Sequence, residues 1–401
     1  MKTSILFIDD ETNILSALKR LLRDMRDEWE MEFALGGREG LRVISEKCFD
    51  VVVTDMKMPD VDGVALLQKL QERCPFSVRI ILSGQAGESA VIRSLRFSHQ
   101  YLSKPCEASV LKTKIRKACR ARDFLGNPKV KEVASALTTL FILPSTLEAL
   151  TLECAKSDPS LTRLAEIARR DIGLSAKILQ LTHSDYFGKG REFTSIDEAV
   201  ERLGSDVIRM LLEKAEIFRA VSLKTPALHL DSLTAHAVQV AETARLIAKL
   251  EGLSSKEQSE AYTAGLLHEI GRVVLVSEFQ DEYQKVLRLL ERGGISHHEA
   301  EREVFGSSNS EVGAYLLALW GLSDSVIEAV TFQDNPTAAG AEGFRLVTIL
   351  HAANALEDEL RPLSLTDTKV ILDERHIQEV NKTEKLPTWR NSTSIHRTDD
   401  S

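Results

Sequence analysis

No stretch of this chain approaches the ~18 consecutive uncharged apolar residues that a membrane-spanning helix needs. The opening MKTSILFIDD has one lysine and then two aspartates where a signal peptide needs a long apolar segment, so a cytoplasmic protein without a membrane partner is expected. Basic charge is in deficit: 51 Lys and Arg against 60 Asp and Glu give a formal charge of -9, which works against a broad phosphate-backbone surface. No zinc finger or recognition helix offsets that balance, so nucleic acid is a poor partner. Cysteine is scarce. Cys48, Cys74, Cys106, Cys119 and Cys154 are odd in number, widely spaced and never CxxC, so buried or incidental thiols are expected rather than a redox or metal-thiolate pair. What remains, 43% hydrophobic and 28% charged over 401 residues, is an ordinary globular composition with room for two or three domains.

Strand and helix signals alternate through roughly the first 120 residues. SILFIDD is a short apolar run ending in two aspartates, and NILSALKRLLRDM follows with helical spacing. WEMEFAL and GREGLRVISEK repeat the pattern, and DVVVTD is a β-branched run of the kind buried on both faces of a parallel sheet. VRIILSG and HQYLSKP are further strands, separated by GESAVIRSLR and closed by ASVLKTKIRKACR. Five β/α units predict a doubly wound five-stranded parallel sheet, whose chemistry belongs at the carboxyl ends of the strands. Asp9, Asp10, Asp55, Ser83 and Lys104 all fall there. A single aspartate after a strand is usually a cap or turn residue, whereas several acids on one rim need a cation to offset their repulsion, and hard oxygen donors suit Mg²⁺. Asp55 is then the best nucleophile toward a phosphoryl phosphorus.

The segments FIDDE, VVVTDMKMPDVDG, ILSG and YLSKP resemble the receiver domain of bacterial two-component response regulators over residues 1–122. The resemblance implies Asp9 and Asp10 as the acidic pair, Asp55 as phosphoacceptor and the Lys57 backbone carbonyl as a further Mg²⁺ ligand. It also implies Ser83 as switch hydroxyl, Lys104 as the phosphate-contacting lysine, Tyr101 as switch aromatic and a cis bond before Pro105, where the residues alone support only a turn. A phosphoryl group adds roughly -1.5 to -2 charges and three acceptor oxygens, which can draw Ser83 inward and let Tyr101 repack.

Beyond Ala121 the strand signals nearly vanish. Gly126 and Pro128 break the last helix of the first unit, predicting a linker over 123–138. An all-α domain is expected over 139–362, followed by a polar, partly disordered extension over 363–401 in which VILDERHIQEV and LPTWR are the last structured candidates and Trp389 a tail anchor. LPSTLEAL, LSAKILQLTHSDYFG, SIDEAVERLG, AGLLHEIGRVVL, EREVFG and EVGAYLLALWGLSDSVIEAV resemble, in order, the HDOD domain, a helical relative of the HD phosphohydrolases. In that comparison His236 and His268 match metal-binding histidines, while Glu269 stands where an aspartate belongs. Asn309 and Gln333 stand where related sequences carry histidine, and Asp334 is a partial substitute. Amides are weak ligands, so loss of two imidazoles predicts no metal in the helical domain, with Zn, Fe or Mn as the alternative. The competing structural reading pairs Glu269 with Arg272. In LTHSDYFGKG, His183, Tyr186, Phe187 and Gly188 resemble a family loop with an aromatic turn, whose expected role is packing a helix end.

The expected protein is therefore a phosphorylation-controlled adaptor. A sensor histidine kinase or small phosphodonor modifies Asp55, and a non-catalytic helical domain signals to a downstream protein. Its rival is a metal-dependent phosphohydrolase acting on a nucleotide or cyclic dinucleotide through His236, His268 and Glu269. Homodimerisation through the first unit's last helices or the helical domain is compatible with either.

Overall fold

The computed structural model describes residues 2–84, 86–121, 124–189, 191, 193–214, 217–220, 230–340, 343–360 and 369–399. In the N-terminal unit, strands β1 (Thr3–Asp9), β2 (Trp29–Leu35), β3 (Val51–Thr54), β4 (Val78–Ser83) and β5 (Gln100–Ser103) form one parallel sheet in the order β2-β1-β3-β4-β5. Every residue of β3 and β4 is buried, as a strand covered by helices on both faces must be. Helices α1 (Thr12–Leu21), α2 (Gly37–Glu46), α3 (Gly63–Arg73), α4 (Glu88–Ser94) and α5 (Ala108–Ala121) make the crossovers. Register aligns the carboxyl ends: Ile8 lies opposite Thr54, and Ser83 opposite Ser103. Asp9, Asp55, Ser83 and Lys104 therefore emerge on one edge of the sheet. The Lys104–Pro105 peptide is cis.

The helical unit contains α7 (Pro144–Cys154), α8 (Leu161–Arg169), α9 (Ile172–Thr182), the single turn α10 (Asp185–Gly188) and α11 (Ile196–Lys214). Gly204, at φ +76°, kinks α11. Then follow α12 (Leu230–Leu250), α13 (Ser255–Leu267), α14 (Ile270–Glu278), α15 (Gln280–Arg292), α16 (His297–Phe305), α17 (Asn309–Leu319), α18 (Asp324–Phe332) and α19 (Leu346–Leu360). Serine and glutamate three residues apart build reciprocal capping boxes at the starts of α13, α16 and α17. This unit is nearly all helix, with one departure: β6 (Leu140–Ile142) and β7 (Phe218–Ala220) pair in parallel. Three-residue strands are too short to show a period in the sequence.

Two expectations gain detail and one is corrected. The predicted linker over 123–138 contains a helix, α6 (Pro128–Ser135), which starts at Pro128, one of the two residues read as breakers: the Asn127 side chain accepts from the amides of Lys129 and Val130, and Pro128 occupies the first turn. Ser135 O accepts from the buried Arg79 guanidinium of β4 at 2.6 Å, and Ser135 Oγ meets Tyr315 Oη of α17, so α6 is fixed to both units. The polar extension carries α20 (Glu374–Glu379), within VILDERHIQEV, and α21 (Leu386–Asp399), which begins at LPTWR and runs on through NSTSIHRTD. Trp389 is fully buried there and its indole N–H donates to Glu251 at 3.0 Å, which outweighs the polar composition around it. Finally, Cys48 and Cys74, expected as thiols, form a disulfide with Cα atoms 5.7 Å apart. The ends of α2 and α3 are drawn together there, Arg73 donating to the Ile44 carbonyl at 2.9 Å and to that of Ser45. Among the described residues no helix is long and apolar enough to cross a membrane.

Candidate functional site

Asp55 follows β3 directly, its amide continuing the ladder by donating to Ile8 O at 2.9 Å. Its two oxygens are held differently. Oδ1 accepts from Lys104 Nζ at 2.7 Å, and Oδ2 accepts from the Lys57 amide at 2.7 Å. Lys104 also reaches Asp9 Oδ2 at 2.6 Å, so one ammonium bridges two buried carboxylates, while Asp10 sits exposed at the mouth. Burial raises the Asp55 carboxyl above its ordinary value against the pull of Lys104. Burial alone would lower the Lys104 ammonium, but its bonds to Asp55 and Asp9 outweigh that and raise it. The short charge-assisted contacts mark Asp55 as the ionised partner, and the Lys104 direction is the one the geometry supports. Gly63 gives this loop its room: a Cβ there would lie 2.1 Å from the Asp55 carbonyl oxygen.

Asp9, Asp10 and Asp55 carry more negative charge than Lys104 neutralises, and all donors are hard oxygens, so the set fits a divalent cation such as Mg²⁺. Ser83 is 2% exposed beside this cluster, at the carboxyl end of β4 opposite Ser103 of β5. Burial raises the Tyr101 phenol, and Tyr101 is itself 2% exposed. Its ring is covered by Tyr186 of α10, edge-on at 6.1 Å.

The second cluster lies in the helical unit. His268 closes α13 and Glu269 opens α14, so the pair that reads as mid-helix occupies a helix junction. His236 of α12 joins them, with ligand-capable atoms of all three within 4.8 Å of one another. His268 Nδ1 is bonded to Gly265 O at 2.5 Å, and its Nε2 lies 3.6 Å from Glu269 Oε1. The other candidates do not complete the set. Gln333 donates to Asn309 Oδ1 at 3.3 Å and to His268 O at 3.1 Å, while Asp334 accepts from the Ser310 hydroxyl. Gly271 allows α14 to lie against α17, since a Cβ would sit 1.9 Å from Asn309 O.

A cation is already present beside this cluster. Arg272 donates to Glu269 Oε1 at 2.7 Å and to Glu301 Oε1 at 3.0 Å, and Glu301 also accepts from Tyr283 Oη and the Asn309 amide. Burial nonetheless pushes the Glu269 carboxyl up to about 7 and His268 down to about 4. The Glu269–Arg272 pairing was legible from its three-residue spacing. Glu301, Tyr283, Asn354 and Asp358 were missed. His236 Nε2 meets Asn354 Oδ1 at 3.0 Å, and His236 Nδ1 lies 4.0 Å from Asp358 Oδ1. Asn354 and Asp358 stand four residues apart in the second half of α19, a spacing that could have placed them on one face of the helix.

Comparison with known proteins follows this division. Residues 5–116 match the response regulator receiver domain family, and residues 140–336 match the HDOD domain family. An uncharacterized protein of Treponema pallidum is 26% identical over 222 residues, 55% of this chain and 43% of the relative. The hydrogenase transcriptional regulatory protein HoxA of Cupriavidus necator is 28% identical over 128 residues, 31% of this chain and 26% of that protein. The chain thus spans less than half the length of these curated relatives. Among solved structures, the response regulator MmoQ of Methylococcus capsulatus is 21% identical, covering 63% of this chain and 98% of its own, with a TM-score of 0.48. A virulence factor of Campylobacter jejuni is 20% identical, covering 66% of this chain and 97% of its own, with a TM-score of 0.46. This chain carries an N-terminal response regulator receiver domain followed by a C-terminal HDOD domain.

Proposed function

We propose that the protein is a response regulator in which Asp55 accepts a phosphoryl group and the HDOD domain relays the change to a downstream signalling protein. The observation that carries this reading is the buried Asp55 carboxylate, pinned by Lys104 and the Lys57 amide beside Asp9. An Asp55 oxygen attacks phosphorus while the P–N bond of a histidine kinase's phosphohistidine, or the P–O bond of a small acyl phosphate, breaks. The electron pair leaves on the imidazole or the carboxylate. Lys104 orients Asp55 beforehand and neutralises charge on the transferred group afterwards, and Ser83 is placed to donate to one of its oxygens. Asp9, Asp10, Asp55 and the Lys57 carbonyl would hold Mg²⁺, which when bound stabilises charge on the phosphoryl oxygens. Radiolabelled acetyl phosphate with Mg²⁺ should label the wild type and not Asp55→Ala. Equal labelling of both would remove Asp55 as acceptor.

The HDOD domain acts in this proposal by binding, not by hydrolysis. His268 Nε2 and Glu269 Oε2 have no hydrogen-bond partner, which favours the rival metal reading. Against it, Arg272 already places a positive charge on Glu269, and Asn309, Gln333 and Asp334 are engaged with one another and with Ser310. The residues present do not fit a two-metal hydrolase. Metal analysis after incubation with Zn, Fe and Mn salts, together with turnover across nucleotides and cyclic dinucleotides, should show neither. Stoichiometric metal with turnover, both lost in His268→Ala, would reverse this assignment.

A further inference from the structure

The Cys48–Cys74 bridge lies at the end of the receiver sheet away from Asp55, joining the segments that follow α2 and α3. Cys48 is exposed, whereas Cys74 is 2% exposed and packs in the core. One sulfur is therefore open to attack and the other is not. The same helix ends are also tied without the bridge: Arg73 Nε donates to Ile44 O at 2.9 Å, and the Ser77 hydroxyl donates to Phe49 O at 2.6 Å. These bonds keep the two cysteines opposed when the S–S bond is open, so it can break and re-form in a folded chain.

The segment after Cys74 leads out of the receiver. Ser77 N donates to Cys74 O at 3.0 Å, closing a turn whose Pro75 and Ser77 carbonyls each accept from Arg79 Nη1 at 3.4 Å. The other arm of that guanidinium, Nη2, holds Ser135 O at the end of α6, and Gln71 Nε2 from the last turn of α3 reaches Ala136 O at 2.5 Å. Ser135 in turn meets Tyr315 of the HDOD domain. The end of α6 is thus tied to the segment 71–79 that the bridge fixes. Beside these ties an open cleft of about 620 Å³, lined by Gln71, Pro75, Phe97 and Ala136 among others, lies between the end of α3 and α6. Close-packed segments resist displacement, but one that borders a cleft has room to move.

We propose that Cys48 and Cys74 form a reversible thiol–disulfide site, and that its redox state sets how firmly the receiver holds α6, the helix between the two domains. The co-reactant is a dithiol. One of its thiolates attacks Cys48 Sγ, the S–S bond breaks, and Cys74 Sγ leaves with the electron pair and takes up a proton. The second thiolate attacks the mixed disulfide, closing the reductant's own disulfide and releasing Cys48 Sγ, which is protonated in turn. Two electrons and two protons pass to the protein, and a disulfide oxidant reverses the exchange. With the bridge open, the end of α3 and the Cys74–Ser77 turn shift toward the cleft, and Arg79 and Gln71 loosen their hold on Ser135 and Ala136. This inference goes beyond the phosphoacceptor reading and stands independently of it.

The full chain, treated under native conditions with dithiothreitol or with oxidised dithiothreitol, tests it. Differential alkylation with peptide mass analysis reads the bridge, and hydrogen–deuterium exchange on the same samples reads α6. The bridge should open without denaturant and re-form on oxidation, with circular dichroism unchanged. Protection over 128–136 should fall by about tenfold or more on reduction, while that over 244–250 in α12 stays level. Cys48→Ser should show the lowered protection without reductant and no further change with it. A bridge that forms in neither condition, or that opens only in denaturant, overturns the proposal. So does a bridge that opens with protection over 128–136 unchanged, or with loss of secondary structure, which would make it a structural staple.

Discussion

Lys177 offers a quantitative test of how tightly the two domains are joined. It is buried between α9 and the end of α4, with Gln180 Oε1 at 2.8 Å and Leu95 O at 3.3 Å as acceptors and, among the described residues, no carboxylate bonded to it. Burial pushes its amine down to about 7. Unfolding then takes up a proton between that value and the ordinary lysine value, so this residue opposes folding most at low pH and stability rises as pH rises. The penalty is about 4 kcal/mol at pH 7 and falls to about 2 kcal/mol at pH 9. Lys177→Met removes it and leaves two acceptors without this donor, a pH-independent cost of about 1–3 kcal/mol. Paired urea denaturation of wild type and variant should show the variant more stable at pH 7, with the difference shrinking by about 2 kcal/mol by pH 9. A difference constant across that range would mean that Lys177 is charged or solvated in the folded protein, and that the domain contact is looser than described.

Other perturbations follow from single contacts. Arg272→Met keeps volume but strands Glu269 and Glu301, and should cost about 3–5 kcal/mol in urea denaturation; a loss below about 1 kcal/mol would show that the arginine is not their counter-charge. Gly63→Ala places a methyl group against the Asp55 carbonyl and should slow acetyl phosphate labelling while costing about 1–3 kcal/mol of stability; unchanged labelling would show that the loop yields elsewhere. Reducing the Cys48–Cys74 bridge should lower receiver stability by about 3 kcal/mol, as expected for a loop closed across 26 residues. A denaturation midpoint insensitive to reductant would contradict a bridge in the folded protein.

The receiver was legible because its information is local. Apolar runs such as VVVT fix the buried strands, and the residue after each run lands on the functional edge whatever the helices do. His236, His268 and Glu269 were also legible as a group, through motif order. What was not legible depends on distant partners. Pro128 reads as a helix breaker or a helix start depending on whether Asn127 caps it and whether Arg79 waits for Ser135. Trp389 was legible as a tail anchor, but its partner Glu251, 138 residues earlier, was not. The pairing of Cys48 with Cys74 and the covering of Tyr101 by Tyr186 likewise join residues whose proximity no periodicity encodes.

The central claim is that the chemistry resides at Asp55. Incubation with acetyl phosphate and Mg²⁺ followed by borohydride reduction converts a phosphorylated aspartate to homoserine, which peptide mass analysis locates. The account predicts homoserine at position 55, absent from Asp55→Asn and reduced in Lys104→Met. Reduction product at another acid, or undiminished product in both variants, would contradict it.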